Sequence, residues 1–149
     1  MDDKSPTPLK ASYNQDDFSN LGFHDCPITG VKWNPRAFSI TLTLEYIVEW
    51  VAPTETAGCF RFWICPAELE FENVGDVSLD LGWESAVMEC RIQDLYRRGE
   101  RRTPNGGVQT QWDFELSTPS GRITIWAAAW ILRIVGPPVL TKTQSLSGG

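Results

Sequence analysis

From Phe38 onward the chain alternates. Phe38, Ile40, Leu42, Leu44, Tyr46, Val48 and Trp50 are apolar at every even position. Ser39, Thr41, Thr43, Glu45 and Glu49 fill the odd ones, broken only by Ile47 and Val51. Successive side chains of a strand point to opposite faces, so this pattern predicts one long strand with one buried face. At ~3.3 Å per residue it would run for about 43 Å, and it is expected to bend or bulge on the way.

The same period recurs downstream. Phe60, Phe62 and Ile64 oppose Arg61 and Trp63. Pro66 has no amide hydrogen to give a ladder, which predicts a bulge or an edge position. Beyond it, Ala67, Leu69 and Phe71 oppose Glu68, Glu70 and Glu72, and Val77, Leu79, Leu81 and Trp83 oppose Ser78 and Asp80. Val108, Trp112, Phe114 and Leu116 alternate with Gln109, Gln111, Asp113 and Glu115; the turn chemistry of Thr118–Gly121 then sends Arg122–Val135 back as a hairpin. From Trp126 to Leu132 both faces are apolar, as in a central strand covered on both sides. Val87–Leu95 alternates like a strand, with a short helix near 85–97 as the alternative.

These elements predict an all-β fold, an antiparallel β-sandwich or flattened open barrel of six to seven strands. Residues 1–17 are polar with two prolines and read as a flexible N-terminal arm. Residues 18–136 form a single β domain, and 137–149, opening on Pro137-Pro138, read as a flexible tail. A chain of 149 residues suits one such domain.

Composition narrows the partners. Thirteen basic against nineteen acidic residues give a net charge of −6, which argues against nucleic acid and anionic membrane. No apolar run reaches the ~18–20 residues of a spanning helix, and no apolar h-region follows the acidic Met1–Lys4. A cytoplasmic location is therefore expected, with Cys26, Cys59, Cys65 and Cys90 as free thiols. Their spacing offers no metal site, and no glycine-rich phosphate loop or calcium loop is present, so no cofactor is expected. The run Arg97-Arg98-Gly99-Glu100-Arg101-Arg102 reads as a solvated loop.

Three groups of residues remain as candidates. Glu68, Glu70 and Glu72 share the polar face of one strand and, with Asp80, make an acidic docking surface. Trp50, Trp83 and Trp112 fall on apolar faces and are expected in the core, whereas Trp63, Trp126 and Trp130 fall opposite and would form a stacking platform for a small ligand or carbohydrate. In Phe23-His24-Asp25-Cys26, His24 and Cys26 would share one side of an extended segment, the geometry of a nucleophile and its base. A structural loop, with Asp25 in the turn and His24 on a backbone group beside Trp33, is the stronger reading. An unsatisfied apolar face on the last strand would allow a homodimer.

The segment Gly22-Phe23-His24-Asp25, the strand Ile28…Gly30-Val31 after it, Pro66–Val74 and the closing Ile123–Ala127 together resemble small bacterial β-rich proteins that carry an "FHD" opening. That group is largely uncharacterised and includes immunity proteins of polymorphic toxin systems. The resemblance implies a small, non-enzymatic cytoplasmic protein that neutralises a toxin by binding it. Only Phe23, His24 and Asp25 carry the motif itself, and the resemblance brings no catalytic residues.

Overall fold

The computed structural model describes residues 8–54, 58–82, 89–118, 120–144 and 146. Its elements are strands β1 (Ser12–Asn14), β2 (Ile28–Asn34), β3 (Ser39–Val51), β4 (Arg61–Glu72), β5 (Val77–Gly82), β6 (Arg91–Arg102), β7 (Val108–Thr118), β8 (Ser120–Ala127), β9 (Ala129–Ile134) and β10 (Val139–Thr141). They form two antiparallel sheets. The larger runs β1-β9-β4-β3-β2 with β10 also on β4, and the smaller runs β5-β8-β7-β6. This is the all-β sandwich that the alternation predicts, with ten strands where six or seven were expected.

The extra strands have physical causes. Ala128 breaks the expected strand Arg122–Val135 into β8 and β9, one in each sheet. The apolar run from Trp126 therefore marks a chain passing between layers rather than a strand covered twice. Its partner ribbon bends at the same end, through 73–76 between β4 and β5, and the amide of Ala128 donates to the Glu72 carbonyl at 3.0 Å. Both expected arms carry strands: β1 pairs with β9, and β10 pairs with Phe62–Ile64 of β4. Pro66 explains the gap between β9 and β10. Its missing amide hydrogen and its carbonyl lie on the same side of the strand, so β9 ends there, with the Val135 amide on the Pro66 carbonyl at 2.9 Å.

The core lies between the sheets. Leu42, Leu44, Ile64, Leu69, Phe71, Trp130 and Leu132 come from the larger sheet, and Ile92, Trp112, Phe114, Ile123 and Ile125 from the smaller. Trp112 and Trp130 meet edge to face across the layers at 5.6 Å between ring centres, and Phe18 closes over Trp112 at 5.0 Å. The bulge expected in β3 falls at Val48, between the pairs Ile47–Ile64 and Glu49–Trp63. It carries Trp50 to the open end of the sandwich, 44% exposed, which corrects its expected core position. Phe38 also departs from the even-numbered pattern: it precedes β3 and is exposed. Trp112 is buried as expected; Trp83 lies outside the described residues. Where a strand over Val87–Leu95 was expected, with a short helix near 85–97 as the alternative, residues 91–97 are strand, and 85–88 lie outside the described residues. No helix among the described residues is long and apolar enough to cross a membrane.

Candidate functional site

The FHD segment works as a knot in the backbone. Phe23 is buried against Tyr46 and Trp130, with ring centres at 5.6 and 6.2 Å. A tight turn follows, with the Cys26 amide on the Phe23 carbonyl at 3.2 Å and Asp25 at φ 65°, a conformation that short polar side chains tolerate. His24 donates from Nδ1 to the Gln93 carbonyl at 2.7 Å and stacks on Trp50, not Trp33. Asp25 receives Gln144 of the C-terminal segment at 2.8 Å, while Arg91 donates to the carbonyls of both residues. The loop thus ties β6, the end of β3 and the tail together.

Cys26 does not meet His24. Its thiol is fully buried, accepts from the Ile47 amide at 3.5 Å, and is pushed up to about 12 by loss of solvent. A thiol so placed stays protonated and is no nucleophile. Burial pushes Cys65 and Cys90 up to about 11 as well, and all four cysteines are free thiols. No cluster of three or more His, Cys, Asp or Glu arranged to hold a metal occurs among the described residues.

The acidic candidates divide between two outer surfaces. The pairing of β4 with β3 runs unbroken along β4 from Arg61 to Phe71, the extra residue Val48 lying on β3, so Glu68, Glu70 and Glu72 share one outward side of the larger sheet, while Trp63 has the opposite parity and does not lie among them. All four are partly exposed. Glu70 pairs with Arg133 at 2.8 Å; the carboxylates of Glu68 and Glu72 have no partner among the described residues. Lys32 stands two strands away, in line with Glu70 through Thr41. Asp80 instead lies on β5, at the edge of the smaller sheet and opposite Arg122, so it does not belong to this surface.

The tryptophan platform does not assemble. Trp130 is completely buried, because β9 faces the core with its even positions. Trp126 points outward from the smaller sheet beneath the Arg101 guanidinium, 4.4 Å from its ring centre. Trp63 and Trp126 are both partly exposed, but on different sheets. The residues missed are those at strand ends, Trp33, Phe38, Trp50 and Phe60, all exposed. Periodicity names a face, not whether the opposite sheet reaches that far, so nothing in the pattern marks them.

The arginine run is a strand rather than a loop. Arg98 stacks on Tyr96 at 4.3 Å and pairs with Asp113 at 3.3 Å; Arg101 pairs with Asp76 at 2.8 Å. Asp113, 4% exposed in its side chain, also takes the Thr124 hydroxyl at 2.7 Å and lies 3.6 Å from Arg122. Comparison with protein-family models, curated proteins and solved structures returns no match to this chain. What the fold and surface define is an all-β sandwich with one acidic outer face.

Proposed function

We propose that this protein is a non-enzymatic binding module for a basic protein, an immunity-type protein of the bacterial cytoplasm that neutralises a cognate toxin by covering it. One observation carries the reading: a single outward face of β4 presents the row Glu68, Glu70, Glu72, and the described chain has no third layer over it. Carboxylates in a row raise a negative field that speeds encounter with a basic cleft and selects against acidic partners. The area is adequate. The 44 strand residues of the larger sheet, at ~3.3 Å by ~4.8 Å each, give on the order of 700 Å², close to the ~800 Å² per partner of a standard interface.

Copurification from the native host at low salt tests this, using the wild-type chain and the triple variant E68Q/E70Q/E72Q. A basic partner held by the wild type, released by salt and lost in the triple variant supports the reading. The same partner held equally by the triple variant overturns it, as does an empty capture in a host whose neighbouring genes encode no toxin.

A further inference from the structure

A cleft of about 680 Å³ opens at the start of β3, the opposite end of that strand from His24 and Trp50. It lies between the bend at 73–76 and the β6–β7 hairpin, with Phe38 among its lining residues. Small-molecule sites run from roughly 300 to 1,000 Å³, so its size fits a metabolite. Its chemistry can be read from three features.

The first is Phe38. It sits at φ 52°, in the left-handed region, which is an outlier for a bulky residue, and it is 66% exposed. The backbone fixes it there, with the Phe38 amide on the Pro35 carbonyl at 3.3 Å and its own carbonyl accepting from the Val74 amide at 2.8 Å. Glycine or asparagine would occupy this conformation with less strain. A ring that gains nothing from burial, held in a strained position beside a cleft, points to a contact outside the fold. The second is charge. No carboxylate lines the cleft, although the chain carries −6 overall. Arg102 lines it and has no carboxylate partner among the described residues, while Arg101 is already committed to Asp76 and Gln109. The third is a packed floor. Gln109 is buried and donates to the Asn73 carbonyl at 2.8 Å, and a methyl group on Gly75 would come within 2.5 Å of the Gln109 amide oxygen.

We infer that this cleft binds a small apolar monocarboxylate. The carboxylate pairs with the Arg102 guanidinium, whose fork matches it in two parallel hydrogen bonds, and the hydrocarbon or ring body lies between Phe38 and Val108. One uncommitted arginine sets the ligand's charge at one. The site is independent of the β4 face and stands or falls separately.

The experiment uses 8-anilinonaphthalene-1-sulfonate as a fluorescent monoanionic reporter on the full chain, displaced by 4-phenylbutyrate or by its uncharged amide. The acid is expected to displace the probe about tenfold better than the amide, the equivalent of one good charged hydrogen bond. R102Q removes that preference. F38G weakens probe and acid alike; because glycine suits φ 52°, this variant melts no lower than the wild type, so lost binding cannot be lost folding. Equal displacement by acid and amide overturns the inference. So does unchanged binding in R102Q and F38G, or a probe lost in W50A, which would place it on the His24–Trp50 surface instead.

Discussion

The two outer faces of the sandwich treat charge in opposite ways. On the smaller sheet, Asp113 holds Arg98, Arg122 and Thr124, and Arg101 lies between Trp126, Asp76 and Gln109. These charges are answered from within the face, while Arg102 at the end of β6 has no carboxylate partner among the described residues. On the larger sheet Arg133 answers Glu70, and the carboxylates of Glu68 and Glu72 face outward without partners among the described residues. Charge density in the sequence is therefore a poor guide to a docking surface. The arginine run looks like the more reactive stretch, yet Arg98 and Arg101 are spent on internal contacts, whereas the quieter alternation of glutamates leaves a field for something else to meet.

The contrast assumes a sandwich closed to water beneath both faces, and alkaline pH tests that with the largest effect. Cys26 is raised from 9.0 to about 12 by burial. The folded chain keeps a proton that the unfolded chain releases above pH 9. This contribution to stability is thus whole below pH 9 and is lost as the pH rises towards 12, at ~1.4 kcal/mol per pH unit. Urea unfolding at pH 8, 9, 10 and 11 should show the fall, and C26A should remove that part of the slope. Iodoacetamide at pH 8 should modify the exposed Cys59 and spare Cys26. Rapid labelling of Cys26 in the folded chain would mean that water reaches the interior, and the contrast between faces would lose its footing.

Asp113 against Glu70 is the next test. D113A strips a buried carboxylate from two arginines and a hydroxyl, and should cost about 2 kcal/mol. That is less than a fully buried network loses, because the side chains of Arg98 and Arg122 are 44% and 54% exposed. E70A removes a surface pair and should stay within ~0.5 kcal/mol. Urea midpoints at constant slope measure both, and equal costs would erase the distinction between a closed and an open face.

How far the sequence foretells this division depends on where each residue sits along its strand. In the middle of β3 and β4 the alternation is reliable, because both sheets are present there: Leu42, Leu44, Leu69 and Phe71 are buried, and Glu68, Glu70 and Glu72 point outward. Pro66 announces the break between β9 and β10 through its missing donor. Legibility fails where a bulge or a change of sheet resets the phase. Val48 sends Trp50 out of the core, and Ala128 brings Trp130 into it, and neither residue differs in type from its neighbours. The stacking of Arg98 on Tyr96 and of Arg101 on Trp126 is also hidden, since only the second pair crosses strands and neither has a periodic signature. The acidic part of the candidate face could be read from local alternation. Its separation from Asp80 could not, because that depends on which sheet each strand joins.

The smallest effect is the most discriminating. Glu68, Glu70 and Glu72 succeed one another on one side of β4 at roughly 6.5–7 Å, close enough to repel within a Debye length of ~8–10 Å. Among the described residues only Arg133 offsets them directly, through Glu70. E68Q/E72Q should therefore raise stability by about 0.3–0.5 kcal/mol at low salt, with the gain shrinking as salt is added, while the same variant weakens the basic partner. A face selected for folding would lose stability on the same change. Gain of stability with loss of binding identifies carboxylates kept for a partner at the fold's expense; loss of both would mean that the glutamates serve the sheet itself, and the open face would be only a solvated one.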